Sequence, residues 1–173
     1  MNRRRLLTGL AGLGITGGSA WVALNGLSEN DGLPKRVETM RARGSTAGTV
    51  QVPVSDTVTV IDLFATWCTP CKKQMTALTK LHEEYDGEVR FVSITNERIG
   101  GTLTKGDIRS WWSENDGNWT LGLDPNSSVM AALNAGGLPF VGVAAPDGTI
   151  TWTHHGVAGI DALRTQIAAA EKG

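Results

Sequence analysis

The sequence predicts an α/β fold in which a central mixed β-sheet is flanked by helices. Short runs such as residues 58–64 carry apolar side chains at both odd and even positions, which is typical of strands covered on both faces. Stretches with helical spacing alternate with these runs, and a Pro-Asp-Gly turn at residues 146–148 predicts a hairpin near the end of the chain. The length of 173 residues fits one domain with a short appendage.

The N-terminal segment differs in kind from the rest of the chain. Residues 6–24 contain no charge and follow three consecutive arginines at positions 3–5, a pattern typical of a signal peptide or a membrane anchor. The order Arg-Arg-x-Leu-Leu resembles a twin-arginine (Tat) export signal. Small residues before Ala20 offer a cleavage site, whereas an uncleaved stretch could span a hydrocarbon core of about 30 Å. We therefore assign residues 1–27 to a signal peptide or membrane anchor and expect an exported protein, at the outer face of the cytoplasmic membrane or in the extracellular or periplasmic space.

Residues 28–48 are polar, punctuated by glycines, and contain several basic side chains. This composition predicts a polar linker, with one short helix beginning after Pro34. Residues 49–173 then form a single folded domain.

The first half of this domain predicts a βαβ unit. A strand over residues 58–64 leads directly into the sequence Trp-Cys-Thr-Pro-Cys at residues 67–71. A helix follows and ends at Asp86-Gly87, and a second strand covers residues 89–95. The two strands should be parallel, with a right-handed crossover.

The second half predicts a helix over residues 106–115, a strand over 119–123 and a helix over 127–134. Strands over 140–145 and 149–154 form the hairpin, and a last amphipathic helix begins near residue 160. Three tryptophans of this half are expected to be core residues: Trp111, Trp112 and Trp119.

Composition excludes several classes of function. Without the three N-terminal arginines, 13 basic residues stand against 17 acidic ones, which is the wrong sign for a nucleic-acid-binding surface. Two cysteines exclude both a framework of several disulfides and an all-cysteine zinc site. His154 and His155 are adjacent on a predicted strand and point to opposite faces, so at most one could join the cysteines around a metal. We expect no metal site and no cofactor.

The cysteine pair carries the predicted chemistry. Cys68 and Cys71 lie at the start of a helix and are close enough in sequence to form a disulfide. The helix dipole and the nearby Lys72 and Lys73 favour a thiolate at Cys68, lowering its pKa from about 8.5 toward about 7 or below. We predict that Cys68 is the solvent-accessible nucleophile and that the more deeply buried Cys71 resolves the mixed disulfide.

The motif at residues 67–71, together with Gly137-Leu138-Pro139, resembles the thioredoxin superfamily over about residues 58–170. The export segment, and the extra strand and helix between residues 96 and 136, are similar to the extracytoplasmic TlpA/ResA type of thiol-disulfide oxidoreductase. The resemblance implies a thioredoxin-like fold with a strand-helix insertion before a cis-proline at position 139. It also implies that Pro139 packs beside the disulfide, that the backbone of Leu138 pairs with a substrate strand and that Trp67 shapes the contact surface. Phe140 departs from the family pattern, which usually has a small polar residue there.

Asp62 lies in the middle of the first predicted strand of the domain. A charge in a strand covered on both faces costs several kcal/mol unless it is paired or protonated. The resemblance to thioredoxins implies that Asp62 accepts the proton of Cys71 and that burial raises its pKa toward neutrality. The alternative is a structural aspartate bonded to backbone or water, because the lysine that often accompanies this residue has no counterpart in residues 89–95.

The leading functional hypothesis is an extracytoplasmic enzyme that exchanges disulfides with protein substrates and acts as a reductase. Asp62 and Pro70 favour that direction, as does the resemblance to proteins that keep target cysteines reduced. The expected partners are protein disulfide or dithiol substrates and a membrane or thioredoxin-type electron donor, with the enzyme itself a monomer.

Three alternatives use the same residues. A Cu(I)-delivery module would bind the metal through both thiolates. The copper-chaperone members of the wider fold, however, tend to space their cysteines by three residues and to add a distal histidine. A thiol peroxidase would want a threonine three residues before its reactive cysteine, where this chain has Ala65. A redox-silent docking domain is disfavoured because both cysteines and Pro139 are present.

Overall fold

The computed structural model describes residues 32–172. Seven strands and four helices follow one another in this part of the chain: β1 (Lys35–Thr39), β2 (Gly48–Val52), β3 (Thr59–Phe64), α1 (Thr69–Tyr85), β4 (Arg90–Thr95), α2 (Lys105–Glu114), β5 (Thr120–Leu123), α3 (Ser128–Ala132), β6 (Phe140–Ala144), β7 (Ile150–His155) and α4 (Ile160–Ala170). The elements predicted from residue 58 onward are all present, with ends that differ by a few residues.

The strands form one mixed sheet in the order β2-β1-β5-β4-β3-β6-β7. The pairs β3–β4 and β4–β5 are parallel. The pairs β3–β6, β6–β7, β1–β5 and β1–β2 are antiparallel. This arrangement confirms the predicted fold class, and α2, β5 and α3 form the insertion between β4 and β6.

Strand β3 lies near the centre of the sheet, and all six of its residues are buried. Alternate side chains point to opposite faces. Val60 and Phe64 belong to a core that also contains residues of α1, α2 and α4, whereas Ile61 and Leu63 belong to a second core on the α3 side. Asp62 has the same parity as Val60 and Phe64, so its side chain lies on the face covered by α1.

The prediction of a linker with a helix after Pro34 is wrong for residues 35–39, which form strand β1. This strand pairs with β2 on one side and with β5 on the other. Val37 and Thr39 are buried while Arg36 and Glu38 are exposed, so the segment does alternate as a half-buried strand. One apolar residue in five was too weak a signal to show this in the sequence.

The predicted signal peptide or anchor, residues 1–27, lies outside the described residues. No helix within residues 32–172 combines the length and apolar character that crossing a membrane requires.

The three tryptophans of the second half are buried together, as predicted for core residues. Trp111 stacks on Phe64 with ring centroids 4.7 Å apart, and Trp112 meets Trp119 edge-on at 5.1 Å. The indole N–H of Trp112 donates a 2.9 Å hydrogen bond to the carbonyl of Arg43. This aromatic cluster attaches α2 and the start of β5 to the same core that holds the cysteine pair.

Strands β1 and β5 approach each other closely at Gly122. A methyl group on this glycine would lie 2.8 Å from Cγ1 of Val37 and 3.3 Å from Cγ1 of Ile94. The missing side chain of Gly122 therefore leaves the space that Val37 needs for β1 to pair with β5.

We predict that Gly122→Ala destabilises the protein by about 1 to 3 kcal/mol, because the added methyl overpacks the contact with Val37. The matched control is Gly142→Ala in buried strand β6, where the nearest atom to an added methyl is 3.9 Å away. Removing that glycine should be neutral or stabilise slightly, since glycine weakens strand interiors. Denaturant unfolding of both variants measures the difference, and equal stabilities would contradict the close packing of β1.

Candidate active site

The cysteine pair occupies the N-terminus of α1. Cys68 is the N-cap residue, Cys71 lies in the first turn, and their sulfurs are joined in a disulfide with the Cα atoms 5.3 Å apart. The N–H of Cys71 donates to the carbonyl of Cys68 at 3.1 Å, and the N–H of Cys68 donates to the carbonyl of Ala65 at 3.0 Å. The first turn of the helix contains no acidic residue, so nothing there opposes the stabilisation of a thiolate by the helix dipole.

Both cysteines are buried in this disulfide form. Cys68 exposes 3% of its surface and Cys71 exposes 1%, so the expected solvent accessibility of Cys68 is wrong for the oxidised protein. The reason is that the pair packs into the core on the α1 side of the sheet. The neighbouring Trp67 is 73% exposed and marks the surface next to the pair.

Pro139 lies at the same end of the sheet as Cys68. Phe140 pairs with Leu63, which places the preceding Pro139 beside the end of β3 from which the chain continues to the cysteines. The Leu138–Pro139 peptide bond is cis, and Leu138 packs against the core that contains both cysteines. The carbonyl of Pro139 accepts a 2.9 Å hydrogen bond from the N–H of Gly156.

The unusual residue Phe140 is fully buried in the second core, on the α3 side of the sheet. Its side chain therefore packs against the opposite face from the cysteine pair. The departure from the family pattern changes the interior more than the surface around the disulfide.

The side chain of Asp62 is buried in the sheet and has one hydrogen-bond partner among residues 32–172. The hydroxyl of Ser93 donates to Oδ2 of Asp62 at 2.7 Å, whereas the buried Oδ1 has no hydrogen-bond partner in this part of the chain. Burial raises the pKa of Asp62 to about 7, against the smaller opposing effect of the Ser93 hydrogen bond. A carboxyl group with this pKa can accept or release a proton near neutral pH.

Ser93 is itself held by the aromatic cluster. The indole N–H of Trp119 donates a 2.9 Å hydrogen bond to Oγ of Ser93. The sequence did not indicate this chain of hydrogen bonds, because the serine and the tryptophan are far apart in sequence and neither forms a motif with Asp62.

The loop before the cysteines is held by Glu97, which follows the end of β4. Its carboxylate accepts from the N–H of Thr66 at 2.8 Å and from the hydroxyl of Thr66 at 2.7 Å. The hydroxyl of Thr95 also donates to Glu97 at 3.0 Å. Glu97 therefore ties the residue two positions before Cys68 to strand β4, and no sequence signal singled it out.

A second pair of hydrogen bonds attaches α1, the helix that carries the cysteines, to the segment before α4. The amide side chain of Gln74 in α1 accepts from the N–H of Ala158 at 2.7 Å and donates to the carbonyl of the same residue at 3.4 Å. The segment that leads into α4 is thereby attached to the helix that carries the cysteines.

Three large apolar side chains are exposed among residues 32–172: Trp67, Ile99 and Val157. We refer to them as the apolar rim. Trp67 is next to Thr66, and Ile99 follows its partner Glu97 by two residues, whereas Val157 precedes Ala158, the partner of Gln74. All three thus belong to loops that are hydrogen-bonded to the region around the disulfide.

A cavity of about 370 Å³ opens beside Glu97. Ile99 and Pro125 contribute apolar surface to it, and Arg98 contributes a cation. Ile99 is the residue of the apolar rim that lines this recess, whose walls also contain the charged side chains of Glu38 and Lys105.

The predicted site residues thus occupy one end of the sheet, apart from Asp62, which lies inside it. Trp67, Cys68, Leu138 and Pro139 lie around the end of β3. Cys71 belongs to the core on the α1 side, and the alternation of β3 places the side chain of Asp62 on the same face of the sheet. Within the described part of the chain, no group of three or more His, Cys, Asp or Glu side chains is arranged to hold a metal ion.

The family model for Redoxin matches residues 29–167. The chain belongs to this family. The match covers most of the chain, and with the seven-stranded sheet it confirms the resemblance to the thioredoxin superfamily.

Two curated relatives match a part of this chain. The chain is 32% identical over 56 residues to the chloroplastic M-type thioredoxin of Pisum sativum, and 34% identical over 56 residues to thioredoxin C-2 of Corynebacterium nephridii. Each match covers 32% of this chain, and the chain spans 33% and 52% of the two relatives, respectively.

One solved structure resembles this chain in fold over most of its length. The secreted disulfide oxidoreductase of Mycobacterium tuberculosis that is homologous to E. coli DsbE has a TM-score of 0.63 and 20% identity. The superposition covers 79% of this chain and 96% of that chain. The Cys68–Cys71 disulfide therefore sits on a thioredoxin-like fold of the type found in this oxidoreductase.

We predict that Glu97→Ala lowers the free energy of unfolding by about 1 to 3 kcal/mol, because it leaves the N–H of Thr66 without its charged acceptor. It should also slow thiol-disulfide exchange, since the loop that precedes Cys68 loses its anchor. Glu97→Gln is the matched variant: its amide oxygen still accepts one hydrogen bond, so both losses should be smaller. Denaturant unfolding and exchange kinetics check this, and equal effects of the two substitutions would contradict a role for the hydrogen bonds.

Proposed function

We propose that this chain is an extracytoplasmic thiol-disulfide oxidoreductase that reduces disulfides of protein substrates through Cys68 and Cys71. The observation that carries the proposal is the disulfide at the N-terminus of α1, at the end of the sheet where Pro139 also lies. Membership of the Redoxin family supports it. No cofactor is required, because the two sulfurs themselves exchange the electrons.

The reaction begins with the reduced enzyme. The thiolate of Cys68 attacks a sulfur of the substrate disulfide, a mixed disulfide forms, and the other substrate sulfur leaves as a thiolate. Cys71 then gives its proton to Asp62, and its thiolate attacks the sulfur of Cys68. The bond between Cys68 and the substrate breaks, so two electrons have passed from the enzyme to the substrate and the Cys68–Cys71 disulfide has formed. An electron donor of the membrane or thioredoxin type restores the dithiol.

The surroundings of the pair favour a protein as the substrate. The apolar rim and the recess beside Glu97 offer surface well beyond the two sulfurs. In this proposal Trp67 contacts the partner protein, and the backbone of Leu138, held by Pro139, pairs with the partner segment that carries the disulfide. Because Cys68 is almost fully buried in the oxidised form, the electron donor that reduces the Cys68–Cys71 disulfide has to fit closely against this surface to reach it.

The direction and the location of the reaction rest on further arguments. Thioredoxin-type pairs have reduction potentials from about −270 to about −120 mV, and a proton acceptor at Asp62 together with Pro70 favours the reducing end of that range. The N-terminal residues 1–27 support export, as does the likeness to a secreted oxidoreductase. The monomeric state and the membrane anchor remain parts of the proposal. The Cu(I)-delivery alternative stays a prediction, and the two-residue spacing of the cysteines disfavours it.

We predict that Cys71→Ser traps a stable mixed disulfide between Cys68 and a substrate protein and abolishes turnover, because serine cannot resolve it. Non-reducing electrophoresis and mass spectrometry of the trapped peptide identify the attacking cysteine. Cys68→Ser is the matched variant and should trap nothing. Capture of partners through Cys71 in that second variant would reverse the assigned roles.

We predict that Asp62→Asn slows substrate reduction by roughly 10-fold or more at pH 7 to 8, because the general base is lost. In the wild-type protein the rate should rise as the pH passes the Asp62 pKa of about 7, whereas the variant should lack this rise. Stopped-flow reduction of a disulfide-containing protein from pH 6 to 8 measures both profiles. Identical profiles would make Asp62 a structural residue.

Stability provides a control for the same substitution. The pKa of Asp62 is about 7 in the folded protein and has an ordinary value of 3.8, so the folded state holds this proton more tightly than the unfolded state. Burial of the carboxylate therefore removes stability as the pH rises from about 4 to 7, by up to about 4 kcal/mol above pH 7. Asp62→Asn should gain stability over the wild type in that window and show no such gain below it.

A further inference from the structure

Asp62, Ser93 and Trp119 form a buried row of hydrogen-bonded side chains. Asp62 and Ser93 are partners in the parallel register of β3 and β4. The hydroxyl of Ser93 donates to Oδ2 of Asp62 at 2.7 Å, and the indole N–H of Trp119 donates to Oγ of Ser93 at 2.9 Å. All three residues are less than 5% exposed, so water does not compete for these hydrogen bonds.

Trp119 fixes the direction in which Ser93 donates. An indole N–H can only donate, so Oγ of Ser93 must act as its acceptor. The single proton of the serine hydroxyl is then directed to Asp62. A serine without this partner could rotate and donate elsewhere, whereas here Oδ2 always receives a hydrogen bond.

The second oxygen of Asp62 is left free by this arrangement. Oδ1 is buried and has no hydrogen-bond partner among the residues that the structure describes. A proton added to Oδ2 would compete with the proton of Ser93, whereas a proton added to Oδ1 would leave that hydrogen bond intact. The geometry therefore distinguishes the two oxygens of the carboxyl group.

No charged side chain faces Asp62 from the neighbouring strands, where its partners are Ser93 on β4 and Val141 on β6. From α1, the titratable residue buried in the core on this face of the sheet is Cys71, and the buried residues of α4 in that core are apolar. His82 packs on Trp119 with ring centroids 5.2 Å apart, and burial lowers its pKa against the opposing effect of Glu83 and Asp86.

We propose that Ser93 and Trp119 are positioning residues for Asp62, which hold Oδ2 and leave Oδ1 as the atom that takes the proton of Cys71. The proposal rests on the function proposed above. In the resolving step the S–H bond of Cys71 breaks and an O–H bond to Oδ1 forms. The sulfur of Cys71 then attacks Cys68, and the substrate leaves with the electron pair of the broken S–S bond. The substrate disulfide is the oxidant, and Ser93 and Trp119 keep their own covalent bonds throughout.

The test compares Ser93→Ala, Trp119→Phe and Ser93→Thr in the full-length protein. The first readout is the pKa of Asp62 in the oxidised protein, followed by the carboxyl ¹³C chemical shift during a pH titration. The second readout is the pH profile of the reduction of insulin. Ser93→Ala should move both midpoints up by about one pH unit, because the carboxylate loses its hydrogen bond.

Trp119→Phe should shift both midpoints in the same direction by a smaller amount, because Ser93 remains but is free to rotate. Ser93→Thr keeps the hydroxyl and should stay near the wild-type midpoint. A loss of stability alone would not produce this order of titration midpoints among the three variants.

Trp112→Phe is the matched control. Trp112 belongs to the same aromatic cluster as Trp119, but its indole N–H donates to the carbonyl of Arg43. This variant should lose stability much as Trp119→Phe does, with both midpoints unchanged. An unchanged NMR midpoint in Ser93→Ala would overturn the proposal, and so would a shift in Trp112→Phe as large as that in Trp119→Phe.

The two readouts separate the proposal from the function on which it rests. The NMR titration needs no turnover, so it tests how Ser93 and Trp119 affect the Asp62 carboxyl group even in an inactive protein. A wild-type protein that fails to reduce disulfides would overturn the proposed function alone. If the wild type is active and the NMR midpoints shift but the rate profiles do not follow, proton transfer to Oδ1 is contradicted.

Discussion

The carboxyl group of Asp62 is buried in the middle of β3, and this burial determines how the interior beneath the cysteine pair can handle a proton. Asp62 lies in a strand whose residues are all buried, and within the described part of the chain only Ser93 donates a hydrogen bond to its carboxyl group. Since a buried charge is costly, the proton stays on this group up to about neutral pH. The same burial that reduces stability gives the core a proton acceptor on the α1 side, where Cys71 also lies.

The position of the cysteine pair follows from how β3 ends. The strand leads through a short loop into α1, so the disulfide lies at the positive end of a helix and at the edge of the sheet. Glu97 holds the loop from the β4 side, and Gln74 ties the helix to the segment before α4. These contacts hold the segments on both sides of the cysteine pair, while Trp67 next to Cys68 is exposed to solvent.

Much of this could be predicted because it is local in sequence. The βαβ unit, the hairpin and the motif at residues 67–71 are each encoded within a few tens of residues, and Asp62 stood out as a charge in an apolar run. Ser93, Trp119 and Glu97 could not be found this way, because their partners are 26 or 31 residues away and meet them only across the sheet. Strand β1 was missed for a related reason, since its burial depends on the inserted strand β5 beside it.

The reduction potential of the Cys68–Cys71 pair in the full-length protein decides whether the pair acts as a reductant. Equilibration with thiol redox buffers at pH 7, with the dithiol fraction counted by alkylation, measures it. A reductase whose buried cysteine passes its proton to Asp62 should have a potential near that of thioredoxin, about −270 mV. A value near −120 mV, as in a strong oxidant, would contradict the proposal that the pair reduces its substrates.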